Sequence, residues 1–190
     1  MIRHAIKALE NWLYDSGRKP LILRGARQVG KTWLVRELAR VHNLTLVELN
    51  FEESPHLIDL FEGNNPQEII KNIKAETATS FEPDTSLLFL DEVQNVPELL
   101  AKLRWFKKKM PELPVVAAGS LLEFALKRLQ FSMPVGRVTY FYLEPMSFSE
   151  FVLASGNSAL YERLTTLGLR RAIPGSLHQK YLDLYYDYCL

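Results

Sequence analysis

The 190-residue sequence has a single cysteine, almost no net charge and no long apolar run. The lone Cys189 excludes an intrachain disulfide and a metal site built from cysteines alone, which suits a reducing compartment. No apolar run approaches the roughly 20 residues of a membrane-spanning helix, and the first residues lead into an amphipathic pattern rather than a secretory signal. We therefore expect a soluble cytoplasmic chain with no membrane partner.

The formal net charge of +1 gives no global argument for nucleic-acid binding, and it does not exclude such binding. One basic run, residues 102–109, lies on a helix predicted over residues 97–110. A solvated helix face explains this run better than a nucleic-acid interface, because the chain as a whole is nearly neutral. With 47% hydrophobic residues, the chain is long enough for one domain with a full core.

One stretch fits the phosphate-binding pattern G-x-x-x-x-G-K-[ST] at every fixed position. Residues 20–23 before it are typical of a short buried strand, and residues 33–41 after it have apolar residues at helical spacing. A strand, a glycine loop and a helix in this order are the context that such a loop requires. The candidate nucleotide-binding residues are Gly25, Ala26, Arg27, Gln28, Val29, Gly30, Lys31, Thr32 and Trp33.

The residue types in this loop match the chemistry of a nucleotide phosphate. Gly25 and Gly30 allow the backbone to turn its N–H groups toward an anion, in conformations that a Cβ would penalise. Lys31 is expected to hold the β- and γ-phosphates of ATP, and the Thr32 hydroxyl is expected to bind Mg²⁺. The alternative is a chance match on a glycine turn, which the flanking strand and helix disfavour.

A second signal lies at residues 86–90, an apolar run that is followed by two acids. A buried strand that ends in adjacent carboxylates delivers them to the carboxyl edge of a parallel sheet, where open α/β folds bind their ligands. Asp91 is the candidate ligand of Mg²⁺, and Glu92 is the candidate group that polarises an attacking water. Alone, the pattern is also typical of a solvated strand end, but the preceding phosphate-binding loop favours the catalytic interpretation.

Two further polar residues have weaker signals. Ser120 follows a strand predicted at residues 115–118, so its hydroxyl would lie near the γ-phosphate if that strand lies between the other two. An N-cap for a helix over residues 121–128 is an equally supported role for Ser120. Arg137 precedes a strand predicted at residues 138–143, and we favour exposure or a structural ion pair over contact with a phosphate of its own or a neighbouring subunit.

The rest of the chain predicts helices and one more strand. Asn65 and Pro66 are typical of a helix start, and Glu68 three residues after Asn65 would complete a capping box. A second capping box is predicted at Ser147–Glu150. The other predicted elements are helices over residues 2–15, 55–61 and 66–76, and a strand over residues 44–50.

Five motifs occur in a set order: residues 25–32, Leu90–Gln94, Ala118–Ser120, Gly136–Arg137 and Glu144–Glu150. Together they resemble the AAA+ superfamily of P-loop ATPases, and more closely a prokaryotic ATP-binding family whose AAA+ core precedes a C-terminal domain of unknown function. The resemblance covers about residues 1–155. It implies a three-layer α/β fold with a five-stranded parallel sheet in the order 5-1-4-3-2. It also implies ATP and Mg²⁺ as ligands and hydrolysis that uses Lys31, Thr32, Asp91, Glu92 and Ser120, with Arg137 as a candidate nucleotide-sensing residue.

The resemblance divides the chain into an ATP-binding core at residues 1–155 and a helical extension at residues 156–190. Because the chain continues into a second domain in that family, we expect this sequence to be a truncated piece of a longer protein. The helix predicted over residues 179–190 is apolar on nearly every side, which indicates a protein partner or self-association through the C-terminal helices.

Two classes of function fit these motifs. The first is a Mg²⁺-dependent ATPase switch or motor domain that hydrolyses ATP to ADP and phosphate and drives an attached module. The second is a non-hydrolysing nucleotide-binding module with a regulatory or interaction role. A nucleotide kinase is a weaker candidate, because the adjacent acids favour attack by water and no arginine-rich lid is evident.

Overall fold

The computed structural model describes residues 3–120, 122, 136–168 and 172–189. The chain divides into two units, one formed by Ala5–Glu144 and the other by Met1–His4 with Pro145–Leu190. In the described residues, no helix is both long enough and apolar enough to cross a lipid bilayer.

The first unit is built on one parallel sheet. The strands lie in the order β2-β3-β4-β1-β5, which confirms the order 5-1-4-3-2 that the resemblance implies. All five strands point the same way, so their carboxyl ends share one edge of the sheet. The strands are β1 (Leu21–Arg24), β2 (Thr45–Asn50), β3 (Ser86–Asp91), β4 (Val115–Ala118) and β5 (Thr139–Tyr142).

Helices cover both faces of this sheet. The alternation of side chains along β1 separates two apolar clusters: Leu21 and Leu23 pack with α1 and α2, whereas Ile22 packs with α3 and α4. Both faces of the central strands are therefore buried, as their continuous apolar sequences predict. The described residues of this unit include helices α1 (Ala5–Leu13), α2 (Lys31–Val41), α3 (Pro66–Thr77) and α4 (Leu99–Lys109), and short 3-10 helices at Pro55–Phe61, Pro83–Thr85 and Val93–Asn95.

The start of α3 corrects one sequence prediction. Pro66 occupies the first turn as expected, but the Asn65 side chain makes no capping hydrogen bond, so the capping box predicted for Asn65 and Glu68 is wrong. Proline has no N–H, so this helix end has one fewer donor to satisfy. Glu68 instead accepts a hydrogen bond from Lys71 Nζ at 2.9 Å, one turn further along the helix.

Lysines of the basic run on α4 donate hydrogen bonds to the backbone of neighbouring loops. Lys102 Nζ donates to the backbone oxygen of Gly63 at 2.7 Å, and Lys107 Nζ donates to that of Arg18 at 2.8 Å. A lysine ammonium next to a backbone carbonyl satisfies an acceptor that the loop would otherwise leave to water. These contacts support a structural use of part of the run.

Within its described residues, the second unit has helices α5 (Phe148–Ala154), α6 (Ser158–Thr166) and α7 (Gly175–Cys189). The capping box predicted at the start of α5 is confirmed, since Glu150 N donates to Ser147 Oγ and Ser147 N donates to the Glu150 carboxylate. The Glu150 carboxylate also accepts from Arg3 Nε at 3.2 Å and from the backbone N–H of His4 at 2.7 Å. Four donors thus meet one buried carboxylate, counting the Ser147 hydroxyl.

Helix α7 packs through its tyrosines. Tyr181 Oη donates to the backbone oxygen of Leu160 at 2.8 Å, and Tyr188 Oη donates to that of Met146 at 2.6 Å. Other side chains of the same helix are exposed: Leu182, Tyr185 and Tyr186. Their spacing of three and four residues puts them on one face of α7, which we call the exposed α7 face.

Candidate functional site

The phosphate-binding loop connects the end of β1 to the start of α2. Gly25 has φ 146° and Gly30 has φ 91°, both in the left-handed region that favours glycine. A Cβ at Gly25 would collide with the backbone oxygen of Leu143, which follows the neighbouring strand β5. Gln28 also has a positive φ, 63°, although it is not glycine. Both the close strand approach and the backbone conformation therefore explain the glycine at position 25.

Lys31 turns back into this loop. Its Nζ donates to the backbone oxygens of Ala26 at 2.7 Å and Gly25 at 3.2 Å, and the residue is buried. Burial lowers the pKa of the Lys31 ammonium, and the nearby charges of Glu92 and Asp91 act in the opposite direction. The loop thus holds a positive charge inside a curved backbone segment.

Thr32 and Asp91 join the loop to the neighbouring acidic motif. Thr32 Oγ1 donates to Asp91 Oδ2 at 2.8 Å, and the backbone N–H of Glu92 donates to Asp91 Oδ1 at 3.0 Å. Burial raises the pKa of Asp91, while these two hydrogen bonds act to lower it. A hydroxyl and a buried carboxylate are oxygen ligands of the kind that Mg²⁺ prefers, so this pair fits the ion that the sequence predicts.

Glu92 follows the last residue of β3 and has a left-handed backbone, with φ 54°. This conformation is uncommon for a residue with a side chain, and such residues are concentrated at functional sites. Its carboxylate accepts a hydrogen bond from Gln94 Nε2 at 2.5 Å. The sequence motifs assigned no role to Gln94, although Gln94 is the last residue of the motif Leu90–Gln94 that carries the resemblance.

The other predicted site residues are Ser120, the loop residues with Trp33, and Arg137. Ser120 is half-buried at the carboxyl end of β4, and β4 lies between β1 and β3, as its predicted role requires. The helix expected over residues 121–128 lies outside the described residues, apart from Leu122. In the loop, Ala26, Arg27 and Gln28 are exposed, whereas Val29 and Trp33 pack against the apolar cluster of α1 and α2.

The structure does not bring Arg137 to the loop of its own chain. Arg137 is exposed and precedes β5, whose first residue Thr139 donates its N–H to the backbone oxygen of Pro20, before β1 begins. The phosphate-binding loop leaves from the other end of β1. At about 3.3 Å per strand residue, Arg137 and the start of the phosphate-binding loop are roughly 20 Å apart. The structure therefore does not support contact between Arg137 and a phosphate bound to its own chain. It shows Arg137 exposed, as we favoured from the sequence.

Comparison with known proteins agrees with this geometry. A family model described as an AAA domain matches residues 17–152, more than half of the chain. A Walker-type ATPase of Pyrococcus abyssi matches with a TM-score of 0.53 and 17% identity, over 99% of this chain and 62% of that one. A structure of Drosophila ORC bound to DNA matches with a TM-score of 0.53 and 17% identity, over 84% of this chain and 47% of that one. At these identities the two structures support the fold alone, and this chain spans less than two thirds of either.

Proposed function

The chain belongs to the AAA domain family, a nucleotide-binding ATPase family, and from this premise we propose that it hydrolyses ATP to ADP and phosphate in a Mg²⁺-dependent reaction. The observation that carries the proposal is the cluster of Lys31, Thr32, Asp91 and Glu92 at the carboxyl edge of the sheet. Each of these residues has a chemical role that ATP hydrolysis requires.

Binding of the triphosphate is the role of the loop and Lys31. Lys31 Nζ would exchange its hydrogen bonds with Gly25 and Ala26 oxygens for phosphate oxygens, which are better partners for an ammonium because they are charged. Thr32 and Asp91 would hold Mg²⁺, which neutralises phosphate charge when it is bound with the nucleotide. The direct hydrogen bond between Thr32 and Asp91 brings these two oxygens together in advance.

Water activation is the role that we assign to Glu92. A carboxylate at the end of β3 lies on the same sheet edge as the phosphate-binding loop, so it can accept a proton from a water that attacks the terminal phosphate. Ser120, at the end of the adjacent strand β4, would orient that water or contact the γ-phosphate. Arg137 would serve a nucleotide only in a neighbouring subunit.

The use of the hydrolysis energy is a further part of the proposal. We assign residues 1–155 to the ATP-binding core and residues 156–190 to a helical extension, by resemblance to the family whose AAA+ core precedes a C-terminal domain of unknown function. The exposed α7 face would contact an attached module, a protein partner or a second copy of the chain. Sedimentation of the parent chain and of its Tyr186→Glu variant tests contact with a second copy: we expect the parent chain to associate and the variant to be monomeric, and a monomeric parent chain would argue against this contact.

Phosphate release by the chain and by its Glu92→Gln variant tests the proposed reaction. We expect Mg²⁺-dependent release in the parent chain, a loss of at least about 100-fold in Glu92→Gln, and unchanged ATP binding in both. Glu76→Gln, an exposed substitution on α3, is the matched control and keeps the parent rate. ATP binding without phosphate release in the parent chain would favour the non-hydrolysing regulatory module instead.

A further inference from the structure

Gln94 lies between the ends of two strands of the candidate site. Its Nε2 donates to the Glu92 carboxylate at the end of β3. Its Oε1 lies against Gly119, the residue between β4 and Ser120. One side chain therefore contacts the acidic motif and the predicted phosphate-sensing segment at the same time.

The orientation of the Gln94 amide follows from the chemistry of its partner. A carboxylate only accepts hydrogen bonds, so the amide nitrogen must face Glu92 and the amide oxygen must point away from it. That oxygen is buried and has no hydrogen-bond partner within the part of the chain that the structure describes. A buried acceptor without a partner does not stabilise the fold, so stability alone does not explain this placement.

Gly119 leaves the space that the Gln94 amide fills. A Cβ at Gly119 would collide with Gln94 Oε1, and the next atoms it would meet are Gln94 N at 3.5 Å and Cδ at 3.6 Å. All three nearest atoms belong to the same residue. Gly119 does not have a positive φ, so its backbone conformation does not require glycine. The reason for a glycine here is the contact with Gln94.

Building on the proposed hydrolysis, we propose that Gln94 is a positioning residue that sets the orientation of the Glu92 carboxylate and that Gly119 makes this position possible. A general base acts only within hydrogen-bond reach of its water, so a misplaced Glu92 carboxylate slows the reaction without weakening ATP binding. The same contact couples Glu92 to the segment that contains Ser120, because displacement of Gly119 or Ser120 moves the Gln94 amide.

Two single variants and their combination test this role. Gln94→Met keeps the length of the side chain and removes the donor, and it also removes the unpaired oxygen, so the thermal midpoint should not fall. Gly119→Ala introduces one methyl group whose one steric collision is with Gln94 Oε1, at the end of that side chain. Matched controls are Gln67→Met, at an exposed position on α3, and Gly168→Ala, where a Cβ would meet nothing within 4 Å.

We expect each test variant to lower kcat by about 10- to 100-fold while the Kd for ATP changes less than about threefold. Because both changes act through the orientation of Glu92, the double variant should be no slower than the slower single variant. The proposal is overturned if Gln94→Met keeps the parent kcat, or if the two losses multiply in the double variant. A thermal midpoint that falls together with kcat in Gln94→Met would also overturn it, because lost stability would then explain the slower reaction.

A second measurement separates this inference from the proposed reaction. If the parent chain releases no phosphate, the proposed hydrolysis fails, and the contact itself is then tested by the ¹⁵N spectrum of the Gln94 side-chain amide. The amide resonances should move in Glu92→Gln and in Gly119→Ala, and they should stay in place in Gly168→Ala. Amide resonances that move in neither test variant would show that Gln94 does not position Glu92.

Discussion

Thr32 and Asp91 are 59 residues apart in the sequence, and the Thr32 hydroxyl donates to the Asp91 carboxylate at 2.8 Å. The contact joins the first turn of α2 to the last residue of β3. It exists because β1 and β3 are parallel strands separated only by β4, so their carboxyl ends lie at the same edge. Two motifs that the sequence presents separately therefore form one site.

Removing the charge of Asp91 should separate nucleotide binding from fold stability. In Asp91→Asn, the thermal midpoint of the nucleotide-free chain should stay constant or rise, because burial raises the pKa of Asp91 and so disfavours its charged form. The Mg²⁺-dependent part of ATP binding should disappear. Calorimetric titration with ATP, with and without Mg²⁺, measures this part, and an unchanged Mg²⁺ effect would remove Asp91 from the proposed metal site.

Replacement of Lys31 by methionine should weaken ATP binding by about 10- to 100-fold, because charge-assisted hydrogen bonds to the phosphates are lost. The fold should survive, since methionine keeps the length of the side chain and removes a buried ammonium whose pKa is lowered by burial. Calorimetry measures the affinity and thermal unfolding measures the stability. Lys71→Met, at an exposed position on α3, is the control. Parent-like affinity in Lys31→Met would show that Lys31 does not contact the phosphates.

Gly25→Ala should destabilise the first unit by about 3 kcal/mol. The added Cβ meets the backbone oxygen of Leu143, and alanine does not favour a φ of 146°. Urea unfolding measures the loss, with Gly168→Ala as the control at an open position. A loss below about 1 kcal/mol would indicate that β1 and β5 separate easily at this edge.

The Glu150 carboxylate gives the second unit a pH-dependent stability. Burial raises its pKa, but hydrogen bonds from the N–H groups of Ser147 and His4 and the charge of Arg3 outweigh burial and lower it. A lowered pKa means that the ionised carboxylate stabilises the folded state above its ordinary pKa of 4.5, and that this contribution is lost as the pH falls through the lower folded value.

Glu150→Gln should therefore lower the free energy of unfolding by about 1–3 kcal/mol at neutral pH. The difference from the parent chain should shrink as the pH falls below 4.5. Urea unfolding at several pH values measures it, and the exposed Glu162→Gln serves as the control. A difference that stays constant down to pH 3 would contradict the assignment of this stability to the ionised carboxylate.

The sequence predicted the individual strands and the loop well because both depend on local patterns, whereas the order of the strands came from the resemblance to AAA+ ATPases. Continuous apolar runs identify buried strands, and the glycine spacing identifies the loop whatever the rest of the fold does. The capping box at Asn65 is wrong because the Asn65 side chain makes no capping hydrogen bond and Glu68 accepts from Lys71 instead, a choice of partner that the local pattern does not specify.

The contacts of Gln94 and the placement of Arg137 depend on distant parts of the chain, and no local pattern contains that information. Gln94 meets Gly119, 25 residues further along, only after β3 and β4 pair. Arg137 precedes β5, so the parallel direction of that strand decides that it lies far from the loop. Strand direction and pairing are properties of the whole sheet.

Calorimetric titration of the parent chain with ATP and Mg²⁺ tests the central assignment most directly, namely that residues 25–32 bind the phosphates of a nucleotide. We predict saturable binding of one ATP per chain, weaker binding when Mg²⁺ is removed, and at least about 10-fold weaker binding in Lys31→Met. Absence of saturable binding in the parent chain, or equal affinity in the parent and Lys31→Met, would contradict it.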